Sequence, residues 1–182
     1  SVDYRLAPEF RHPSALMDCL DGYKKLLETY DPGKILLIGE SAGGNLVLTL
    51  PLLLKDMGLP QPAAVYSNSP VTQMSFYTDS YRKYSFKRDF IVVTGILENT
   101  VAVFCDESEK EDPYVSPLYG DLSGLPPIAL SASECECLLD DSVMMHEKLL
   151  EAGNDTALYT YPGLCHAFII SPQMKRVVKM AY

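Results

Sequence analysis

The sequence of 182 residues lacks tryptophan, long hydrophobic runs and any excess of positive charge. No apolar stretch approaches the roughly 20 residues that cross a bilayer, and residues 1–5 do not resemble a signal peptide. Lysine and arginine number 15 against 24 acidic residues, for a formal net charge of −9. Because nucleic acids and anionic membranes require clustered positive charge, we expect neither as a partner and favour a neutral or modestly polar small molecule.

Cysteine is present, but not in a pattern that predicts disulfides. The five cysteines are odd in number and show no repeated spacing: Cys19, Cys105, Cys135, Cys137 and Cys165. This usage favours reduced thiols and therefore a cytoplasmic protein.

Alternating strand and helix patterns predict the fold class. Short apolar runs predict strands at 34–38, 63–67, 127–132 and 156–161. Apolar residues at helical spacing predict helices from Ser14, as the capping residue, to Leu27, and over 45–56 and 140–152. The expected fold is α/β, with a mostly parallel sheet that carries helices on both faces, in one domain over 1–182.

Residues 73–124 interrupt this alternation. They are rich in Tyr, Phe and charge, and one helix is predicted over 93–105. We interpret the segment as a cap-like insertion over the carboxyl ends of the strands, where loops shape ligand sites in open α/β sheets. An ordinary long connection is the alternative.

The pentapeptide Gly39-Glu40-Ser41-Ala42-Gly43 lies between a predicted buried strand and a predicted helix. A nucleophile elbow occupies this position, because its serine stands on a strained turn and its glycines let strand and helix approach closely. The sequence therefore predicts Ser41 as a nucleophile. A glycine-rich turn with an incidental serine is the other interpretation.

A nucleophilic serine needs an imidazole to take its proton, and only three histidines are present. In enzymes with this elbow, the histidine follows the last strand. His166 does so, whereas His146 falls inside a predicted helix and His12 precedes Pro13 near the start. We predict His166 as the base and structural roles for the other two.

The acid that orients the imidazole should follow the strand ending near Ala132, and four carboxylates lie there: Glu134, Glu136, Asp140 and Asp141. The two aspartates stand at a helix start, where they can cap free N–H groups. Position alone favours Glu136 over Glu134 only slightly. A metal site of Cys135, Cys137, Cys165 and His166 is conceivable but disfavoured, because zinc sites usually use a C-x₂₋₄-C spacing.

Four motifs in this order resemble the hormone-sensitive-lipase-like branch of the α/β hydrolases. They are Val2-Asp3-Tyr4-Arg5-Leu6-Ala7-Pro8-Glu9, the elbow with Gly44-Asn45-Leu46, Asp112-Pro113-Tyr114-Val115-Ser116-Pro117-Leu118, and His166-Ala167-Phe168. The resemblance covers the whole chain and implies a carboxylesterase acting on short-chain acyl esters without a cofactor.

The same resemblance assigns individual residues. It places the acid at Glu136, where the family more often has Asp, and implies that Arg5 and Glu9 brace the loop below the site. In the implied mechanism Ser41 attacks the ester, His166 transfers the proton, Glu136 orients His166, and the N–H of Ala42 binds the oxyanion.

The family's upstream H-G-G-G loop, which supplies further oxyanion donors, does not occur in the 182 residues. We therefore expect an incomplete domain whose N-terminal strands are missing, and weakened catalysis. The strand at 35–38, expected to be buried on both faces, would become an apolar edge. That edge predicts pairing with a missing N-terminal segment or a homo-oligomer. Two further function classes stay open: a catalytically inert hydrolase-like binding module and a serine peptidase of the same superfold.

Overall fold

Parallel strands form the centre of this protein, and the computed structural model describes residues 1–84, 89, 92 and 95–169. The α helices in this part are Ser14–Leu27 (α1), Ala42–Asp56 (α2), Asp79–Tyr84 (α3), Ile96–Phe104 (α4) and Leu139–Glu151 (α5). The strands are Leu36–Glu40 (β1), Ala64–Asn68 (β2), Ile128–Ser133 (β3) and Thr156–Tyr161 (β4). Short 3₁₀ turns occupy 32–34, 107–109 and 117–119.

The strands lie in the order β1-β2-β3-β4, and every neighbouring pair is parallel. Their carboxyl ends therefore meet at one edge of the sheet. The predicted parallel α/β sheet is confirmed. β4 has the predicted bounds, and β1, β2 and β3 each begin or end one or two residues later than predicted.

One face of the sheet carries the main core. Val65, Ile128 and Leu130 point from the strands into a cluster with Leu48 of α2 and Met145 of α5, all nearly inaccessible to solvent. α1 packs on α2 from the same side. In the part of the chain that the structure describes, the helices that pack on the sheet lie on this one face, because α1, α2 and α5 bury their apolar sides on the same side of the strands. The prediction of helices on both faces is therefore not met in these residues.

The opposite face is exposed around β1, where Leu36 and Ile38 are 62% and 70% accessible. The prediction that this strand is buried on both faces is therefore wrong for the described residues. The reason is that the helices of the described residues cover the face on which Leu37 packs and leave the side of Leu36 and Ile38 uncovered. Pairing of this edge with another strand stays a prediction, which the oligomeric state in solution would test.

Residues 73–124 contain α3 and α4 within the described ranges. The sequence pattern missed α3, and of the helix predicted over 93–105 the structure has Ile96–Phe104, with positions 93 and 94 outside the described residues. Apolar side chains of this segment, among them Tyr81, Leu97 and Val101, pack with Cys137 and Leu138 in a second core. The segment is therefore tied to the loop that follows β3.

Two predicted helix caps are wrong. α1 begins at Ser14 itself and has no side-chain cap, because Pro13 occupies the position before it. Asp140 and Asp141 do not cap α5: Asp140 accepts a bond from Ser80 N, and Asp141 accepts bonds from Thr72. Asp140 turns towards the first turn of α3 and Asp141 towards the loop after β2, because the N–H groups there would otherwise be buried without a partner.

Candidate active site

Ser41 lies at the sharp turn between β1 and α2. Its backbone φ is 54° and ψ is −116°, a strained combination for a residue with a side chain. Gly39 makes the turn possible, since a Cβ at this position would lie 2.1 Å from the carbonyl oxygen of Gly43. The turn holds the Ser41 hydroxyl above the carboxyl edge of the sheet.

The sequence predicts that the glycines of the elbow, Gly39 and Gly43, let strand and helix approach closely, but after Ser41 the close approach is made at Gly44. A Cβ at Gly43 would meet no heavy atom within 4 Å among the described residues, so close approach does not require glycine there. At Gly44, by contrast, a Cβ would lie 3.1 Å from Pro70 Cα and 3.2 Å from Asn68 O. Gly44 therefore lets α2 pack closely against the loop that follows β2.

His166 lies in the loop after β4 and is 2% exposed. Two local features orient this loop. Ser133, at the end of β3, donates its hydroxyl to Leu164 O at 2.5 Å, and Ala167 takes a left-handed φ of 59°. The imidazole is thereby directed back over the sheet edge towards Ser41.

Glu136 lies in the loop after β3, and its side chain is completely buried. Its Oε2 is 2.6 Å from His166 Nδ1, and His166 Nε2 is 2.9 Å from Ser41 Oγ. The structure thus brings the predicted serine, histidine and glutamate into one chain of hydrogen bonds, although they come from three distant stretches of sequence.

The hydrogen-bond chemistry assigns the protons. An ionised carboxylate can only accept hydrogen bonds, so Nδ1 of His166 carries a proton and donates the hydrogen bond to Glu136 Oε2. Nε2 of the neutral ring is then an acceptor for the Ser41 hydroxyl. This is the tautomer that can take a proton from serine.

The other candidates lie elsewhere. His146 on α5 bonds through Nδ1 to Thr156 Oγ1 at 3.2 Å, and His12 packs edge-on against Phe104. Burial of His12 lowers its pKa, which keeps this ring neutral. The exposed Glu134 accepts a bond from Thr160 Oγ1 at 3.0 Å. None of these side chains has a bond to Ser41 or His166 among the contacts of the described residues.

Arg5 and Glu9 were expected to brace the chain below the site. Arg5 bonds to Asp18 of α1 through its backbone N–H and its guanidinium, with Nη2 2.7 Å from Oδ1. Its guanidinium also lies over the ring of Phe10, 5.4 Å from the centroid. Arg5 therefore attaches the first residues to α1, whereas Glu9 is exposed.

Sequence reasoning missed two polar residues beside Glu136. Ser69, directly after β2, donates its hydroxyl to Glu136 Oε1 at 2.9 Å. Asp89, 3% exposed, accepts a bond from Cys137 N at 3.2 Å. For Ser69 a signal existed, because residues that follow parallel strands meet at one edge; for Asp89 the sequence offers none.

Potential metal-ligand atoms of three or more residues come together at one place in the described residues. That place does not include Cys135, Cys137 or Cys165, the cysteines of the disfavoured metal site. Asp89, Glu136 and His166 have potential ligand atoms within 4.8 Å of one another. Nδ1 of His166 and Oε2 of Glu136 already bond to each other at 2.6 Å. A cation between them would have to break that bond.

Cys137 and Cys165, which are buried near the site, are protonated thiols rather than reactive thiolates. Burial, with a contribution from the charge of Asp89, raises the pKa of Cys137 well above its usual range. Burial also raises the pKa of Cys165. All five cysteines are free.

A cavity of about 470 Å³ opens beside Ser41 and His166. Most of its wall is apolar, formed by the loop after β2, by α4 and by the first ten residues: Leu6, Phe10, Met74, Phe76, Leu97 and Phe104 are examples. The cavity is large enough to hold a small organic molecule against the serine. Ala42, the first residue of α2, also lines it, and N–H groups in the first turn of a helix have no partner within that helix.

Comparison with known proteins agrees with this architecture. A sequence model of the alpha/beta hydrolase fold family matches residues 1–170. The chain belongs to the α/β hydrolase fold family. An esterase of Acinetobacter venetianus is 34% identical over 169 residues, and an acetyl-hydrolase of Streptomyces hygroscopicus is 29% identical over 186 aligned positions.

A solved structure places this α/β hydrolase chain in the predicted branch. A hormone-sensitive lipase from a metagenome library superposes with a TM-score of 0.93 over 98% of the chain, at 32% identity. The predicted resemblance to hormone-sensitive-lipase-like enzymes is thereby confirmed.

This chain spans only part of the length of these relatives. The matches include 92% and 100% of this chain, but only 55% of the esterase and 62% of the acetyl-hydrolase. The chain likewise spans 60% of the structural relative. Among the described residues, no helix is long and apolar enough to cross a membrane.

Proposed function

We propose that this α/β hydrolase chain carries the nucleophile, base and acid of a carboxylesterase that cleaves short-chain acyl esters. The observation that carries the proposal is the hydrogen-bond chain Ser41 Oγ, His166 Nε2, His166 Nδ1 and Glu136 Oε2 beside an apolar cavity. The relatives named above, an esterase and an acetyl-hydrolase, support the same chemistry.

In the proposed acylation step, Ser41 Oγ attacks the ester carbonyl while His166 Nε2 takes the hydroxyl proton. The tetrahedral intermediate collapses when the C–O bond to the alcohol breaks and the imidazolium returns its proton to the alcohol oxygen. The acyl group remains on Ser41.

Deacylation follows the same course with water as the nucleophile and Ser41 as the leaving group. His166 takes a proton from water, the hydroxide attacks the acyl carbonyl, and the proton returns to Ser41 Oγ as the acid leaves. In both steps Glu136 keeps the proton on Nδ1 and stabilises the charged imidazolium.

The developing oxyanion needs donors where its charge appears. The backbone N–H of Ala42 is the proposed donor, because it follows the nucleophile and begins α2, whose positive dipole end faces the same point. Because this donor is a backbone group, a substitution at Ala42 changes the size of the side chain and leaves the proposed hydrogen bond in place.

The walls of the cavity support an apolar substrate portion. We propose that residues 73–124 form a cap whose α4 side chains, Leu97, Val101 and Phe104, contact the alkyl part of the ester. Burial of a short acyl chain stabilises binding by about 0.8 kcal/mol per methylene, so affinity should rise with chain length until the cavity is filled.

Labelling by a fluorophosphonate tests the nucleophile directly, because it does not depend on fast deacylation. We expect one adduct on Ser41 by mass spectrometry, lost in Ser41→Ala and slowed at least a hundredfold in His166→Ala. His146→Ala is the matched control and should label at the wild-type rate, since His146 bonds to Thr156 and, within the described part of the chain, not to Ser41 or His166.

The outcomes separate the competing function classes. An adduct on Ser41 with hydrolysis of nitrophenyl acetate supports the esterase. Folded protein without an adduct supports an inert binding module, and cleavage of peptides but not of nitrophenyl acetate supports a peptidase.

A further inference from the structure

We propose that Ser69 is a positioning residue that holds the Glu136 carboxylate in register with His166, an inference that rests on the proposed function. Glu136 uses both of its oxygens. Oε2 faces His166 Nδ1, while Oε1 accepts from Ser69 Oγ at 2.9 Å and from Ser133 N at 2.8 Å.

The environment of this contact makes it dependent on protein donors. Ser69 and Glu136 are both 0% exposed, so water does not compete for either side chain. An ionised carboxylate buried in this way must be satisfied by hydrogen bonds. Ser69 supplies the only side-chain hydroxyl bonded to Glu136 in the described part of the chain.

The Ser69 donor matters more because residue 136 is a glutamate rather than an aspartate. Its side chain has one more rotatable bond than aspartate, so the direction of Oε2 depends on how the far end of the chain is anchored. Ser133 N belongs to the last residue of β3, the strand that leads into the loop of Glu136. Ser69, directly after β2, holds the same oxygen from a second strand, so the two donors together fix the carboxylate relative to the sheet.

Ser69 is itself held in an unfavourable conformation. Its φ is 47°, in the left-handed region, and its N–H donates to Ser131 O at 2.7 Å across the sheet edge. Glycine would occupy this position without strain but would lack the hydroxyl. Strain retained at a serine whose hydroxyl bonds to Glu136 points to a role for that hydroxyl.

Two variants of Ser69 separate the hydroxyl from the backbone. Ser69→Ala removes the hydroxyl and keeps the strain, whereas Ser69→Gly removes both. If positioning is the role, both variants should lower kcat about ten- to a hundredfold with little change in KM, because Ser69 does not line the cavity. If only backbone strain mattered, Ser69→Gly would match or exceed the wild type, and the proposal would be overturned.

Ser67→Ala is the matched control. Ser67 lies on β2, two residues before Ser69, is equally buried, and donates its hydroxyl to the backbone oxygen of Gly44 at 3.0 Å instead of to Glu136. We expect its kcat to stay within threefold of the wild type. An equal loss in Ser67→Ala and Ser69→Ala would show a general packing effect and overturn the proposal.

A double-mutant cycle tests whether Ser69 acts through Glu136. In the Glu136→Ala background, adding Ser69→Ala should not lower the residual rate further, since the group it positions is gone. Independent, multiplying losses would contradict the proposal.

A measurement that needs no turnover distinguishes this inference from the proposed function. The Nδ1 proton of His166, bonded to Glu136, should give a far-downfield proton resonance that is shifted or broadened in Ser69→Ala and unchanged in Ser67→Ala. This result in protein that neither labels nor hydrolyses esters would keep the positioning and reject the esterase. Hydrolysis together with an unaltered resonance in Ser69→Ala would do the reverse.

Discussion

Glu136, in the loop after β3, and Asp141, in the first turn of α5, are both buried carboxylates, yet they bond to different kinds of group. Glu136 faces the His166 ring, which can take a positive charge. In the part of the chain that the structure describes, Oδ1 of Asp141 accepts from neutral donors: Thr72 N at 2.8 Å, Thr72 Oγ1 at 3.1 Å and Gln73 N at 3.3 Å. The first arrangement can stabilise a charge that appears during a reaction, and the second can only attach a loop to α5.

This difference appears in the titration of Asp141. Complete burial is the largest influence and raises its pKa to about 7, although its hydrogen bonds from Thr72 and Gln73 favour the charged form. The loop it holds, residues 71–76, supplies Val71, Met74 and Phe76 to the cavity wall. Asp141 is therefore a structural support of the site and not part of its proton pathway.

The largest expected effect is on Glu136. Glu136→Ala should lower kcat by about ten-thousandfold, because the imidazole loses both its tautomer preference and its stabilising charge. Steady-state hydrolysis of nitrophenyl acetate measures this, with circular dichroism to verify folding. A loss below tenfold in folded protein would move the acid to Glu134 or Asp140.

A smaller effect is expected on the pH dependence of stability through Asp141. An unfolded aspartate titrates near pH 3.9, so a folded pKa of about 7 means that its stabilising contribution is fully present below about pH 4. That contribution is lost as pH rises through about 7. Asp141→Asn keeps an oxygen acceptor but does not titrate, so the wild type should lose a few kcal/mol relative to this variant between pH 4 and pH 8.

Urea unfolding of both proteins across that range measures the difference. A constant difference in the free energy of unfolding would show that the pKa of Asp141 is the same in the folded and unfolded states, and would contradict the prediction. The kcat of Asp141→Asn at pH 6 should remain within a few fold of the wild type, which would set it apart from Glu136→Ala.

The smallest effect is expected at Glu134, two positions from Glu136 and on the surface. Glu134→Ala removes one exposed bond to Thr160 and should change the free energy of unfolding by less than about 0.5 kcal/mol. Its kcat should equal that of the wild type. A loss comparable to that of Glu136→Ala would mean that both carboxylates act on His166.

Local pattern was sufficient for most of the fold. Apolar runs located the strands to within two residues, and helical spacing located α1, α2 and α5. Failures occurred where a tertiary contact changed a local preference. Asp140 and Asp141 turned away from their helix towards Ser80 and Thr72, and Leu36 and Ile38 were left exposed at an edge.

The candidate site likewise has one part that local sequence pattern predicts and another that it does not. The elbow around Ser41 is a local structure, because a strand, a strained turn and a helix follow directly in sequence. The choice among four carboxylates after β3 was not local, and only the resemblance to known hydrolases favoured Glu136. The sequence could place Ser69 at the carboxyl edge of the sheet, but its bond to Glu136 depends on strand register. Asp89 could not be assigned from sequence, since its position depends on packing of the 73–124 segment.

By itself, then, the sequence determined the parallel α/β architecture, the position of the serine elbow and the histidine after the last strand, because each follows from residue spacing within one or two elements. The tertiary structure alone decided which carboxylate reaches His166, which donors hold that carboxylate, and which face of β1 is covered. Those outcomes depend on how loops from separate strands meet at one edge of the sheet, and a distance of 2.6 Å between groups 30 residues apart is a property of packing rather than of local pattern.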